Sequence, residues 1–163
     1  MSEVLDTTDA KILDLIQHDA ALSVAEIAEQ VGLSSSPCWR RIKRLEDAGV
    51  IRGRVTLLDR ELLGLAFEVY AEVKLKLPTR ENLDAFEQAV AGWPEVVHCA
   101  TVTGGMDYVL RIVTRDMRAF DDFLREQLLA QGLVANCESR IVMRSVKDST
   151  AAPLGLIAPS LGA

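Results

Sequence analysis

A run of cations lies close to residue 40. Four of the five residues from 40 to 44 are basic, namely Arg40, Arg41, Lys43 and Arg44. Arginine pairs bidentately with carboxylates, with phosphates or with the acceptor edge of guanine, whereas lysine suits phosphate. The run is therefore either a solvated helix face, which is the usual role of a charge cluster, or a surface that contacts an anionic partner.

The distribution of charge favours an anionic partner. The chain has a formal net charge of −6, but residues 1–33 contain one cation and seven acids. Residues 34–54 contain six cations, including Arg52 and Arg54, and only two acids. Because salt screens charges beyond about 8 Å, the local potential decides phosphate binding, and the acidic total does not exclude DNA.

A second candidate site is the glycine-rich loop Gly104-Gly105-Met106-Asp107. Two glycines let backbone amides approach a ligand carboxylate closely, and Asp107 could pair with an ammonium group. The alternative is a hairpin turn in which glycine supplies a positive φ and Asp107 bonds its own backbone. The residues alone leave both interpretations open.

Catalytic and metal-binding chemistry find little support in the sequence. The two histidines form no nucleophile or metal array with local spacing, so we expect no enzyme, no catalytic residue and no metal site. His98, Cys99 and Cys137 could meet across neighbouring strands, which makes a metal-sensing repressor one alternative. A free cysteine in a strand is more often a small core residue, and three cysteines without a CxxC pair indicate reduced thiols in the cytoplasm.

Three predicted helices position the cationic run. The first extends from about Thr8 to His18, with Thr7, Thr8 or Asp9 as its cap. The second begins at the capping box Ser23-Val24-Ala25-Glu26 and ends at Gly32. The third starts at one of the serines of residues 34–36, has Pro37 in its first turn, and runs to Ala48.

The second and third helices have the pattern of a helix-turn-helix. Cys38, Ile42 and Leu45 share one face of the third helix, which leaves the cations on the other faces. Trp39 either contacts DNA or packs against the first helix, and residues 50–58 predict a short strand or hairpin that would form a wing. The candidate DNA-binding residues are Ser34, Ser35, Ser36, Pro37, Trp39, Arg40, Arg41, Lys43, Arg44, Arg52 and Arg54.

In the second half of the chain the spacing of apolar residues changes from that of helices to the alternation of strands. Apolar and polar residues alternate over residues 68–77, which predicts a half-buried strand, and the last strand spans roughly residues 134–146. The order strand-helix-strand-strand-helix-strand is ferredoxin-like. We therefore predict an α+β protein: a winged helix-turn-helix over residues 1–60, a linker over 61–66, a ferredoxin-like βαββαβ sandwich over 67–148, and a flexible C-terminal tail over 149–163.

Several segments carry a resemblance to a known family. They are Asp9-Ala10-Lys11-Ile12-Leu13, Leu33 to Cys38, Arg41 to Glu46, Gly49-Val50-Ile51, the loop Gly104 to Tyr108 and Val142 to Lys147. Over about residues 6–148 the chain resembles the Lrp/AsnC (feast/famine) transcription regulators. The loop departs at Gly105, where the family often has an aspartate, and this removes one possible partner for an effector's ammonium group.

The resemblance implies a regulator that binds double-stranded promoter DNA and a small effector. The effector is typically a free amino acid such as leucine or methionine, bound without a further cofactor between C-terminal domains. The sandwiches of the family dimerise through their sheets, and the dimers often assemble into octamers. The implied effector-binding residues are Thr103, Gly104, Gly105, Met106, Asp107, Tyr108, Ser139, Arg140 and Val142.

Two further expectations concern location and the remaining alternative. No apolar run reaches the roughly 18 residues of a membrane span, and the N-terminus does not resemble a signal peptide. We therefore expect no membrane contact and a cytoplasmic, nucleoid-associated protein. Besides the metal-sensing repressor, a second alternative to a DNA-binding regulator is a ligand-binding regulatory module whose N-terminal helices do not bind DNA.

Overall fold

The computed structural model describes residues 5–157. The described chain forms two compact units, the first made of residues 5–57 together with 147–157 and the second of residues 58–146. No helix within residues 5–157 is both long enough and apolar enough to cross a membrane.

The N-terminal unit contains three helices: α1 (Thr7–His18), α2 (Val24–Val31) and α3 (Ser35–Asp47). The capping box predicted for α2 is confirmed, because the Glu26 amide donates to Ser23 Oγ (3.3 Å) and the Ser23 amide donates to Glu26 Oε2 (2.7 Å). Gly32 ends this helix at φ +71°, a left-handed conformation that glycine adopts without strain.

The cap of α1 differs from the prediction. Asp6, not one of the three following residues, caps the helix: its carboxylate accepts the Asp9 amide (2.8 Å), and the Asp9 carboxylate accepts the Asp6 amide (3.1 Å). The cap therefore lies one residue before the first predicted candidate, and it forms a capping box built from two acidic side chains.

A small core joins the three helices. Ile12, Ile16, Ile27 and Ala28 are buried together with the predicted apolar face of α3, which is confirmed because Cys38, Ile42 and Leu45 are at most 4% exposed. Burial raises the pKa of the Cys38 thiol, so this cysteine is an inert core residue and not a reactive one.

The predicted strand or hairpin over residues 50–58 is wrong. These residues form no strand, and Val55, Leu57 and Leu58 are exposed. The amides of Val50 and Ile51 donate back to the Leu45 carbonyl (2.9 and 3.1 Å), so they terminate α3 and take no part in a ladder. A strand also requires a partner, and none of the described residues pairs with this segment.

The second unit is the predicted ferredoxin-like sandwich. Its elements are β1 (Phe67–Leu75), α4 (Arg80–Ala91), β2 (Val96–Thr101), β3 (Tyr108–Thr114), α5 (Met117–Phe123) and β4 (Val134–Ile141). A π-helical turn, Leu124–Leu128, continues α5. The four strands form one antiparallel sheet in the order β2-β3-β1-β4, which confirms the βαββαβ prediction.

Alternation along β1 determines which face of the sheet is buried. Val69, Ala71, Val73 and Leu75 are at most 2% exposed and pack with aromatic residues of both helices, including Phe86 and Phe120. The predicted alternation extends too far, because Leu77 lies beyond the strand and is 64% exposed. The last strand likewise ends at Ile141 and not near residue 146.

The segment after the sandwich differs from the flexible tail that the sequence predicts. The Gln17 side chain bonds both backbone groups of Ala152, donating to its carbonyl (3.2 Å) and accepting from its amide (2.9 Å). Leu154 packs against the core of the N-terminal unit. The segment is therefore held by one apolar contact and a pair of hydrogen bonds, whereas residues 158–163 lie outside the described residues.

Candidate functional site

The N-terminal end of α3 is open to solvent. Ser34 caps the helix without a side-chain cap bond, and Ser34, Ser35 and Ser36 are exposed. Pro37 lies in the first helical turn and is partly buried. Trp39 does not pack into the core beside α1, because it is 55% exposed. Hydroxyls, helix amides and an indole are thus presented on one end of this helix.

The structure separates the four cations that the sequence groups together. Arg40 is exposed and forms no ion pair with any residue in the described range. Arg41 instead donates to Asp6 (2.6 Å) and Asp9 (2.8 Å), and Arg44 donates to Asp9 (2.6 Å). Two of the four candidate DNA-binding cations, Arg41 and Arg44, are therefore ion-paired with the acids of the α1 capping box.

The remaining basic residues surround the end of α3. Lys43 pairs with Asp47 one turn later (2.9 Å), and both side chains are more than half exposed. Arg54 lies 3.7 Å from Glu46, while Arg52 is exposed on the same loop. These residues line an open groove together with Ile51 and Gly53.

The glycine loop combines an exposed tip with an anchored end. Thr103, Gly104 and Gly105 are exposed, Met106 is partly buried, and Gly104 has φ +120°. The amides of Gly104 and Gly105 donate to no other residue of the described chain, and a Cβ at either glycine would meet nothing within 4 Å. The two amides at the tip therefore have no acceptor among the described residues.

Asp107 anchors the loop to β1. Its carboxylate accepts the Leu75 amide (2.8 Å) and the Lys74 ammonium (2.9 Å), and its own amide donates to the Val73 carbonyl (2.9 Å). The Leu75 amide and then Lys74 hold the pKa of Asp107 below its ordinary value, so the group stays ionised. The carboxylate is bonded to a neighbouring strand, which neither of the two sequence interpretations included.

Tyr108 belongs to the core and not to the exposed loop. It is 1% exposed, its ring centroid lies 4.7 Å from that of Phe86, and its hydroxyl donates to Glu87 (2.9 Å). Burial and the neighbouring Glu87 carboxylate raise the pKa of the phenol, which therefore stays neutral.

The predicted effector residues Ser139, Arg140 and Val142, in β4 or directly after it, lie apart from the loop tip within this chain. Ser139 and Arg140 pair with Ala71 and Tyr70 of β1, whereas the loop joins β2 and β3 on the other side of β1. Arg140 is bound to Glu72 (2.5 Å), and the Val142 amide donates to the Glu68 carbonyl (2.9 Å). Because β3 and β4 are separated by β1, about 10 Å lies between them, and one sandwich does not bring the whole set together.

The alternative metal site is wrong. His98 and Cys99 lie on β2, and Cys137 lies on β4, at opposite edges of the sheet. Two strands lie between those edges, so about 14 Å separates them, far beyond any shared coordination shell. Among residues 5–157 no group of three or more histidine, cysteine or acidic side chains is arranged to hold a metal ion.

Sequence reasoning missed four partners of the site residues. They are Asp6 and Asp9, which bind the arginines of α3, Lys74, which binds Asp107, and Glu87, which binds Tyr108. Each pair is separated by 21 to 35 residues. Local spacing contains no signal for such pairs; the only indication is that acids cluster in residues 1–33 and cations in residues 34–54.

Comparisons with known proteins cover both units. Residues 5–52 match the winged helix-turn-helix DNA-binding family, and residues 68–152 match the Lrp/AsnC ligand binding domain. The leucine-responsive regulatory protein of Rhizobium meliloti is 39% identical over 145 residues, which cover 89% of this chain and 93% of that protein. The glutamate uptake regulatory protein of Zymomonas mobilis is 38% identical over 154 residues, covering 94% and 93%.

A solved structure is similar over the same range. A transcriptional regulator from Neisseria meningitidis, crystallised in complex with L-methionine, superposes with a TM-score of 0.91 at 37% identity. The match covers 94% of this chain and 99% of that one.

Proposed function

The chain belongs to the Lrp/AsnC family of transcription regulators, and we propose that it binds specific promoter DNA through α3 and responds to a free amino acid. The observation that carries the DNA-binding part is the exposed Trp39–Arg40 step near the start of a helix-turn-helix recognition helix. Arginine at this point can read guanine bidentately, while the serine hydroxyls, the helix amides and Lys43 suit phosphate.

The proposed DNA-binding surface keeps the predicted residues but gives them different roles. Arg40 and Trp39 approach base edges, and the three serines with Pro37 form the phosphate-facing helix start. Lys43, Arg52 and Arg54 provide charge toward flanking phosphates, because ion pairs between exposed side chains are weak and exchange readily with a phosphate. Arg41 and Arg44 remain part of the surface, with charges already compensated by α1.

We expect the purified protein to enrich a discrete sequence from a random duplex pool. Its affinity for that sequence, measured by fluorescence anisotropy, should fall steeply with salt because phosphate contacts release counterions. The ligand-binding module without DNA binding predicts neither enrichment nor a salt-dependent signal. If the anisotropy did not change when the DNA pool was titrated at about 50 mM salt, the alternative function, a ligand-binding module without DNA binding, would be favoured.

The effector part of the proposal rests on the exposed loop tip. The unpaired amides of Gly104 and Gly105 suit the carboxylate of an amino acid, and Thr103 and Met106 flank them. Asp107 and Tyr108 hold the loop in position through Lys74, Leu75 and Glu87. Ser139, Arg140 and Val142 would complete the site from a second subunit, since one chain holds them apart from the tip.

We expect one or a few apolar amino acids, such as leucine or methionine, to raise the melting temperature. A ligand at about 100 times its dissociation constant stabilises the folded state by about 2.7 kcal/mol, which a thermal melt detects easily. The measurement is a panel of the twenty free amino acids on the purified protein. No shift with any of them would contradict amino-acid sensing.

Gly105 offers a matched pair of variants for this panel. Its φ is not positive and a side chain there meets open space, so Gly105→Asp and Gly105→Asn both fit. The aspartate adds a carboxylate for the effector's ammonium group, and we expect it to enlarge the ligand-induced shift. Asparagine has the same size but no charge, and it should not enlarge the ligand-induced shift. Equal shifts for the two variants would exclude a charge contact at this position.

The remaining features of the proposal follow from the family. We propose a homodimer formed through the sheet faces, able to assemble further, acting in the cytoplasm on the nucleoid and without enzymatic activity or a further cofactor. The sheet face opposite the helices supports this, because Tyr70 is 40% exposed there beside the ion pairs Glu68–Arg111 and Glu72–Arg140.

A further inference from the structure

A buried carboxylate lies between α1 and the recognition helix α3. The Asp9 side chain is only 1% exposed, and its two oxygens accept Arg41 Nη1 (2.8 Å) and Arg44 Nη2 (2.6 Å). A buried charge is tolerated only when it is paired and hydrogen bonded, and here the partners come from the helix that faces DNA. Asp9 thus contributes both to the contact between α1 and α3 and to the charge of the surface that α3 exposes.

Asp6 extends the same network to the surface. Its carboxylate accepts Arg41 at 2.6 Å and also accepts the Asp9 amide, while the Asp9 carboxylate accepts the Asp6 amide. The hydrogen bonds that Arg41 donates to the two carboxylates raise its pKa, and its side chain is 30% exposed. Two carboxylates of one capping box therefore compensate two guanidinium groups.

This compensation changes which cations can bind phosphate. A phosphate approaching Arg41 must compete with two carboxylates within 2.8 Å of the guanidinium, and one approaching Arg44 must compete with Asp9 at 2.6 Å. Arg40 has no such competitor among residues 5–157. Sequence-independent affinity depends on the number of phosphates that are neutralised, so internal acids reduce it.

We propose that Asp9 is a positioning residue for DNA recognition. It keeps Arg41 and Arg44 out of the set of phosphate-binding cations, which lowers binding to random DNA and leaves Arg40 as the leading contact of α3. This inference rests on the proposed function, in that it requires α3 to face DNA. A purely structural role in packing α1 against α3 would leave the number of phosphate contacts unchanged.

The test is Asp9→Asn, which keeps the shape of the side chain and removes its charge. Binding to a random-sequence duplex is followed by fluorescence anisotropy between about 50 and 200 mM salt. We expect stronger binding to this duplex and a salt slope steeper by about 0.9 per protomer for each phosphate gained. Raising salt over this range should then weaken the variant about threefold more than the wild-type protein for each such contact. The preference for the selected sequence should fall.

Two further variants make the test decisive. Asp6→Asn retains a good helix cap, loses only the exposed partner of Arg41, and should steepen the slope in the same direction. It decides the question alone if Asp9→Asn proves unfolded in a thermal melt. Asp14→Asn removes the same charge from α1 at an exposed position that contacts His18 and Gln17 but no residue of α3, and should leave the slope unchanged.

An unchanged or shallower slope in the folded Asp9→Asn variant, or in Asp6→Asn where that variant decides, would overturn the inference. It would mean that the arginines never reach phosphate, or that the carboxylates orient them toward it. A wild-type protein that binds neither duplex would instead refute the proposed function, which the same titration shows separately.

Discussion

An Arg40→Ala variant is expected to bind the selected DNA sequence about tenfold to a hundredfold more weakly per DNA-binding domain, the range typical of a bidentate arginine–guanine contact. Arg40 is the exposed arginine of α3 that has no carboxylate partner among the described residues, so its guanidinium is free to make this contact. Because the lost contact reads a base, affinity for random DNA should change far less. The measurement is a pair of anisotropy titrations, selected against random duplex, at matched salt.

Two control variants allow that result to be interpreted. Lys43→Ala should lower the affinity for both duplexes by a similar factor, since lysine supplies a point charge for phosphate. The salt slope should also become shallower. Arg118→Ala removes an exposed arginine from α5 of the sandwich and should change neither titration. Equal weakening of selected and random DNA by Arg40→Ala would assign Arg40 to phosphate and not to base recognition.

Phe86→Ala is expected to lower the free energy of unfolding by about 3–5 kcal/mol, the usual range for removing a buried aromatic ring. Phe86 is fully buried and lies between Tyr108, at a ring-centroid distance of 4.7 Å, and Trp93, at 6.1 Å. Urea unfolding followed by tryptophan fluorescence measures the loss, because Trp93 is only 7% exposed and reports on this core. Leu77→Ala, at a residue that is 64% exposed, should change stability by less than about 0.5 kcal/mol. A loss below about 1 kcal/mol for Phe86→Ala would mean that the neighbouring rings close the cavity.

Local signals explain why much of the fold could be predicted from the sequence. The Ser23–Glu26 capping box and the left-handed Gly32 involve residues at most four apart, so both are visible in a short stretch of sequence. The alternation along β1 likewise reflects a single strand with one buried face. The order of the elements then specified the sandwich, because ferredoxin-like topology follows from that order.

Features that depend on distant partners could not be predicted in this way. A helical pattern assigns residues to faces of α3, but it does not reveal that α1 presents Asp9 to Arg41 and Arg44, 32 and 35 residues away. The same limit applies to residues 50–58, whose β-like composition forms no strand because no segment within residues 5–157 pairs with them. The sequence singles out the Asp107 carboxylate as a candidate ligand contact, but the partners that hold it, Lys74 and Leu75, lie on another strand.

The attachment of Ala152 and Leu154 to the N-terminal unit has a consequence for biosynthesis. Ribosomes make α1, α2 and α3 before the sandwich, whereas the segment that bonds Gln17 and covers part of their core is made after it. The DNA-binding unit therefore completes its contacts only after the whole sandwich has been translated. Because these contacts are lost, we expect a chain truncated before residue 152 to have a less stable N-terminal unit than a chain that reaches residue 157.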